Sequence, residues 1–219
     1  MPLLGTAAAA PPGAHGFDTN TPLTSTKARQ LKEAGFAFGL RYISRGPVNP
    51  HGDLCEAETE AILSAGLALM PVQHVAMPGW IPSAALGVSN GKSAAINAAA
   101  AGLPRGINVW LDLEGVAATA KAAEVIGYCN AWFKEVEAAG YASGVYVGAN
   151  SGLSGEDLFF RLTTRHYWQS GSRVPDIPHR GYQMVQHIAE GDEVAGIAID
   201  RNLTKTDNLG GSVLWVARA

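Results

Sequence analysis

Acidic residues follow or end three apolar segments of this chain. Asp112 and Glu114 lie in Trp-Leu-Asp-Leu-Glu, Asp18 in Gly-Phe-Asp-Thr-Asn, and Asp200 in Gly-Ile-Ala-Ile-Asp. Successive side chains of a β-strand alternate between faces, so residues two positions apart point the same way. We therefore expect the carboxyl groups of Asp112 and Glu114 to share one face of a strand.

Four carboxyl groups at one site would favour general acid chemistry. Like charges and partial burial raise the pKa of at least one of them, which leaves a protonated acid beside ionised partners. Glycoside hydrolysis needs that combination. Two carboxylates in a run of Val, Trp and Leu are costly unless they are solvated, paired or used. Asp18 also suits an Asx turn, and Asp200 also suits a turn or a partner for Arg201.

Aromatic and amide side chains end several other predicted strands. Aromatic rings stack on the apolar faces of sugars, and amides bind sugar hydroxyls, so these residues are candidates for substrate binding. Each of them, taken alone, also suits a position in the core or at the rim. The candidates are Tyr42, Gln73, Tyr146, Asn150, Trp168 and Gln186. His74 and His187 are interpreted as ordinary histidines at strand ends.

Alternating strands and helices would position these groups. The predicted strands span residues 15–18, 36–43, 67–74, 108–114, 144–148, 166–169, 182–186 and 197–200. The predicted helices span residues 24–34, 56–65, 93–101, 119–139 and 155–162. Gly35, Gly66 and Gly140 each end a helix directly before an apolar strand, which is typical of the helix-to-strand turn in a barrel.

This order of elements predicts an α/β fold, a (β/α) TIM-type barrel with reduced helices after the last three strands. Barrel enzymes carry their chemistry at the carboxyl ends of the strands, and the first and last strands are neighbours. Asp18 and Asp200 should therefore lie side by side. An open doubly wound sheet is the alternative. The length of 219 residues suits one domain spanning residues 1–219, in which 1–13 form an extended N-terminal segment.

Composition narrows the function classes. The formal net charge is −3 and no stretch concentrates Lys or Arg, so neither nucleic acid nor an anionic membrane surface is an expected partner. No apolar run is long enough for a membrane span, and the N-terminus lacks the positive start of a Sec-type signal. Cys55 and Cys129 are predicted to be free thiols, although a disulfide stays open. No metal, no cofactor and a monomeric state are expected.

Two weaker motifs lead to no function. Gly87-Val-Ser-Asn-Gly-Lys-Ser93 resembles a phosphate-binding loop but is one residue short, and no buried strand leads into it. Ser151 and Ser154 lie near glycines without forming the Gly-x-Ser-x-Gly turn of a serine hydrolase.

The motifs together resemble a known family. Gly-Phe-Asp-Thr-Asn, Met-Pro-Val-Gln-His, Trp-Leu-Asp-Leu-Glu, Gly-Val-Tyr-Val-Gly and Gly-Ile-Ala-Ile-Asp-Arg-Asn occur in one order across about residues 14–211. In this the chain resembles a bacterial domain family of glycoside-hydrolase-like proteins, which is similar in turn to the family-25 lysozymes, or muramidases. The resemblance implies that Glu114 is the proton donor and that Asp112 stabilises the reacting sugar, with Asp18 and Asp200 as the remaining acids.

Hydrolysis of a β-linked N-acetylated glycan, with peptidoglycan as the favoured substrate, is the leading hypothesis. Two others stay open. A non-catalytic module could keep the barrel and bind cell-wall glycan without cleaving it. A metal-dependent phosphodiesterase could use the acids together with His74.

Overall fold

The computed structural model describes residues 4–218, in which strands and helices alternate from residue 15 to residue 161. The strands are β1 (Thr6–Ala9), β2 (His15–Thr19), β3 (Phe38–Ile43), β4 (Ala68–Gln73), β5 (Asn108–Leu113), β6 (Ala142–Val147), β7 (Tyr167–Gln169), β8 (Met184–His187), β9 (Glu193–Val194), β10 (Ile197–Ala198), β11 (Asp200–Thr204) and β12 (Leu214–Ala217). The helices are α1 (Ser25–Glu33), α2 (Glu56–Ser64), α3 (Ala84–Ala100), α4 (Ala122–Ala138) and α5 (Gly155–Arg161).

Eight of the strands within residues 4–218 close into a barrel. Their order is β4-β3-β2-β11-β8-β7-β6-β5, and β5 pairs again with β4. Adjacent strands from β2 to β8 are parallel, whereas β11 is antiparallel to both of its neighbours. The predicted barrel with reduced helices late in the chain is confirmed, and the open doubly wound alternative is wrong.

The last barrel strand differs from the prediction. Asp200 begins β11 rather than ending a strand at residues 197–200, and β10 instead forms a short hairpin with β9. A parallel strand needs a crossover of about a dozen residues or more, usually with a helix. The segment between β8 and β11 carries only the small hairpin, so the chain returns antiparallel. Asp200 therefore pairs with Asp18 at the predicted rim, although the direction of its strand is reversed.

Helix α3 begins earlier than predicted, at Ala84, where the Ser83 side chain accepts a hydrogen bond from the Leu86 amide. The segment resembling a phosphate loop, 87–93, lies inside this helix. A Cβ on Gly87 would overlap the carbonyl oxygen of Tyr128, and one on Gly91 would lie 2.7 Å from that of Trp132. The glycines therefore let α3 and α4 approach closely.

Strand alternation divides the apolar residues into two cores. Trp110 lies in the cluster inside the barrel together with Phe38, Met70, Trp168 and Met184. Leu111 and Leu113 lie in the cluster between the barrel and the helices. The inward face of β5 is therefore the one that carries Trp110 and Asp112, as the sequence predicts.

The two ends of the chain meet at the amino end of the barrel. Within the predicted N-terminal segment 1–13, residues 6–9 form β1, which pairs with β12, while residues 1–3 lie outside the described residues. Trp215 of β12 packs against Phe38 with ring centroids 5.5 Å apart. The pair helps to fill that end of the barrel.

Two further predictions concern the cysteines and the membrane. Cys55 is exposed and Cys129 is buried, and both are free thiols as predicted. Within the described part of the chain, no helix combines the length and apolar character required to cross a bilayer.

Replacement of Gly91 by alanine should lower the melting temperature, although Gly→Ala inside a helix normally stabilises by roughly 0.5–1 kcal/mol. The new methyl group would press on the Trp132 carbonyl and push α3 from α4. Gly127→Ala in α4 is the matched control, because its Cβ would meet only Ala84 Cβ at 3.9 Å and should stabilise. Equal gains in thermal unfolding for both variants would contradict the close helix contact.

Candidate active site

The four predicted acids lie at the same end of the barrel. Asp18 and Asp200 face each other across β2 and β11, and Asp112 is the fifth residue of β5. Glu114 directly follows β5 and lies close enough to Asp112 to raise its pKa electrostatically, as does Asp18. The barrel therefore brings together the carboxyl groups that the sequence placed at strand ends.

Asp18 is buried and held by three side chains. Its Oδ2 accepts hydrogen bonds from Gln186 Nε2 at 2.9 Å and Asn202 Nδ2 at 2.7 Å, and the Tyr42 hydroxyl lies 3.5 Å from Oδ1. Burial raises the pKa of Asp18 to about 6, and the charge of Asp200 adds to the rise while the hydrogen bonds oppose it. Asp18 is therefore poised to change its protonation state in weakly acidic solution.

Asp112 is buried and lacks a hydrogen-bond partner at one carboxyl oxygen. Its residue surface is 6% exposed, and Oδ1 is buried without a hydrogen-bond partner. Burial raises the pKa of Asp112 well above its ordinary value, and the charges of Glu114 and Asp18 raise it further. An unpartnered carboxylate in such surroundings is costly, so the neutral form is favoured.

Glu114 is half-buried and forms part of a cavity wall. Burial raises the pKa of its carboxyl group. A Cβ on Gly148 would lie 2.5 Å from Glu114 Cβ and 2.6 Å from Oε2, so the glycine makes room for this side chain. Trp80 Nε1 donates to the Glu114 carbonyl oxygen at 2.8 Å. The cavity measures about 230 Å³, and its other lining residues are Val75, Ala76, Pro78, Gly115, Ala149 and Asn150.

A second cavity of about 290 Å³ opens beside Asp18 and Asp200. Its lining includes the polar residues Thr19, Asn20, Thr21, Tyr42 and Asp192. Asp112 lines neither this cavity nor the one at Glu114. Sugar hydroxyls would find hydrogen-bonding partners here, whereas Asp112 lies beneath the surface of the mouth.

Tyr42 and Asn150 are the predicted binding residues that reach a cavity. Tyr42 lines the polar cavity and stacks on His74 with centroids 4.7 Å apart. Asn150 is exposed at the Glu114 cavity, where its φ of 55° turns the chain. His74 Nε2 lies 2.8 Å from Asp53 Oδ1, so this histidine has the partner expected at a strand end.

Tyr146, Trp168 and Gln186 occupy a buried layer of the barrel rather than its surface. The Tyr146 hydroxyl donates to Gln186 Oε1 and accepts from the Ser170 hydroxyl, both at 2.8 Å, and its ring packs edge-on against Trp168. Gln186 in turn donates to Asp18. These three residues line neither of the two cavities, and direct contact of their side chains with substrate stays a prediction.

Gln73, another predicted binding residue, lines neither cavity. It is fully buried and points away from the barrel interior toward α3 and α4. Its Nε2 donates to the carbonyl oxygens of Ser44 and Asn90, and its Oε1 accepts from Trp132 Nε1 at 2.7 Å. The side-chain hydrogen bonds of Gln73 therefore join β4 to α3, to α4 and to the loop after β3.

The candidate residues omitted Asn202, which donates to Asp18 from β11. It follows Asp200 by two positions, so strand alternation puts both residues on one face. That spacing could have identified it if β11 had been recognised as a strand that starts at Asp200.

A family model described as "Rv2525c-like, glycoside hydrolase-like domain" matches residues 29–204. No curated protein matches the chain in sequence.

Several solved structures share the fold. The Tat-secreted protein Rv2525c of Mycobacterium tuberculosis, in complex with L-tartrate, is 16% identical with a TM-score of 0.61, over 88% of this chain and 95% of that one. The bacterial lysozyme of Streptomyces coelicolor is 16% identical with a TM-score of 0.59, over 91% and 93%. A family 25 glycosyl hydrolase of Bacillus anthracis is 13% identical with a TM-score of 0.58, over 88% and 89%.

Replacement of Asp18 by asparagine should stabilise the protein near pH 7.5 and have little effect below about pH 4. The pKa of Asp18 rises from 3.8 to about 6 on folding, so the folded protein holds a proton that the unfolded chain has lost. Stability therefore falls as pH rises through this window, by on the order of 2 kcal/mol.

Urea unfolding of both proteins at the two pH values measures this effect. Asp157→Asn is the control of opposite sign, because the hydrogen bond from Ser154 lowers the pKa of Asp157. That variant should lose stability near pH 7.5. If Asp18→Asn changes the free energy of unfolding by the same amount at both pH values, Asp18 does not titrate in this range.

Proposed function

The chain belongs to the Rv2525c-like family of glycoside hydrolase-like domains, and from this premise we propose that it is a glycosidase acting on peptidoglycan or a related N-acetylated glycan. One observation carries the proposal. A half-buried Glu114 with a raised pKa forms the wall of an open cavity, next to the buried Asp112 on the same inward face. Lysozymes among the structural relatives share the barrel, and the choice of substrate rests on this site together with that fold.

Glu114 acts as the general acid in this proposal. Burial raises the pKa of its carboxyl group, so it retains a proton closer to neutral pH while remaining accessible from the cavity. It gives that proton to the glycosidic oxygen as the bond to the sugar breaks. A positioned acid of this kind contributes about 10²–10⁴-fold in rate.

Asp112 stabilises the positive charge that develops on the sugar. In the free protein, burial and the neighbouring acids raise its pKa and favour its neutral form. A cationic sugar beside it lowers the cost of ionising Asp112, whose proton passes to solvent water, so the stabilising effect of the carboxylate grows as the reaction proceeds. Interactions that strengthen toward the transition state are those that accelerate a reaction.

Asp18 and Asp200 bind the sugar and tune the acidity of the site. Asp18 lies within the electrostatic reach of Asp112, and Gln186 and Asn202 fix the orientation of its carboxyl group. The polar cavity beside these acids accepts the hydroxyl groups of the ring, and Tyr42 offers it an aromatic face. We place the sugar that forms the cation at this side of the mouth.

A glycan-binding module without turnover is the alternative. It is favoured by the position of Asp112, which lines neither cavity and would need the mouth to adjust around substrate. Such a module would sediment with cell walls and leave their bonds intact.

Mass analysis of purified peptidoglycan after incubation distinguishes the two functions. The wild-type protein should release fragments with new reducing ends, and Glu114→Gln should release at least a hundredfold fewer while melting normally. If wild-type protein sediments with cell walls and releases no fragments, the glycosidase proposal fails and the glycan-binding module remains. Undiminished release by Glu114→Gln would contradict the assignment of the acid.

The space at Gly148 provides a second test of Glu114. Gly148→Ala should reduce turnover by roughly tenfold or more, because the added methyl group displaces the Glu114 side chain, and a small misplacement is costly in catalysis. Gly127→Ala, where a Cβ meets only Ala84 Cβ at 3.9 Å, should leave turnover unchanged. Reducing-end assays on both variants measure this, and equal activity would mean that the position of Glu114 is not limiting.

A further inference from the structure

The two sides of the barrel mouth differ in chemistry. The cavity beside Asp18 and Asp200 is lined largely by hydroxyl, amide and carboxyl groups. The cavity at Glu114 is lined by Val75, Ala76 and further apolar side chains, with the Asn150 amide and the Glu114 carboxyl group as its polar side-chain groups. Glu114 therefore lies where a polar surface gives way to an apolar one.

The loop that follows β4 supplies Val75, Ala76 and Pro78 to the cavity wall. The same loop also carries two exposed apolar side chains, Met77 at 80% exposure and Ile81 at 65%. Exposed apolar residues are common on protein surfaces, so the inference depends on the cavity lining itself.

This apolar wall is held in place by backbone contacts. The Gly79 amide donates to the Gly115 carbonyl at 2.7 Å, and the Gly115 amide donates to the Ala149 carbonyl at 2.8 Å. Trp80 Nε1 donates to the Glu114 carbonyl at 2.8 Å. The loops after β4, β5 and β6 are thus joined to one another, so the cavity is preformed and binding need not order it.

We propose that the group leaving from the sugar presents an apolar surface, an alkyl, acyl or aromatic portion, that binds in the Glu114 cavity. This inference rests on the proposed function, because the acid must contact the glycosidic oxygen and the leaving group is attached to that oxygen. The polar cavity suits the hydroxyl-rich ring, which leaves the apolar one for the group beyond the bond. The substrate class is then an N-acetylated glycoside whose leaving portion carries an apolar face.

Affinity should depend on the length of an apolar leaving group. Each methylene that enters an apolar cavity improves binding by about fourfold. Methyl, ethyl, propyl, butyl and hexyl β-glycosides of N-acetylglucosamine are therefore the probes. Titration calorimetry with Glu114→Gln, which should not cleave them, should give a steep rise in affinity over the first carbons and a plateau once the cavity is full.

Variants at Ala76 test whether the effect arises in this cavity. Ala76→Asp places a carboxylate on the wall and should abolish the dependence of affinity on chain length. Ala76→Leu fills the space and should move the plateau to shorter chains. Leu209→Asp, an exposed position at the opposite end of the barrel, should keep the wild-type dependence.

The outcomes separate this inference from the proposed function. A rise with chain length that disappears in Ala76→Asp supports the inference, even if wild-type protein releases no reducing ends and the proposed function fails. Affinity that does not vary with chain length overturns the inference, even if peptidoglycan is cleaved. A rise that persists in both Ala76 variants overturns it too, because the apolar group would then bind elsewhere.

Discussion

The structure depends on carboxyl groups crowded into the mouth of a barrel that offers them little positive charge. Neither cavity at the mouth has Lys or Arg in its lining. Asp112 has a buried oxygen without a partner, and the nearby Glu114 and Asp18 disfavour its charge. Raised pKa values at Asp18, Asp112 and Glu114 therefore relieve part of the repulsion, because they favour the protonated forms of these groups.

Two amide side chains donate hydrogen bonds to the carboxyl group of Asp18 and also join the first and last strands of the barrel. Gln186 of β8 and Asn202 of β11 both donate to Asp18 of β2, across the two antiparallel joints where the sheet lacks helical crossovers. Tyr146 extends the network to β6 through Gln186. The hydrogen bonds that orient the acids are thus also those that join the first and last strands, which couples the site to the fold.

The sequence predicts the site well where one physical rule decides the outcome. Alternation along a strand placed Asp112 with Glu114, and the closed barrel placed Asp18 beside Asp200. Strand alternation does not identify binding residues where a strand is covered on both faces. Gln73 on the helix side and Gln186 inside the barrel are both buried, and the sequence does not tell the two faces apart. The direction of β11 depends on how the barrel closes, which the sequence does not show. The start of α3 was predicted too late because Gly87 and Gly91 are unusual within a helix, and they are needed there for the close contact with α4.

The central claim is that burial and the neighbouring Glu114 and Asp18 raise the pKa of Asp112 well above its ordinary value and so favour its protonated form in the free protein. Infrared spectroscopy at about pH 7 detects the carbonyl stretch of a protonated carboxyl group, which ionised carboxylates lack. The wild-type protein should show this band, and Asp112→Asn should weaken it while keeping the barrel fold, since Asp18 and Glu114 also have raised pKa values. A spectrum without the band, or one in which Asp112→Asn retains it in full, would contradict the account.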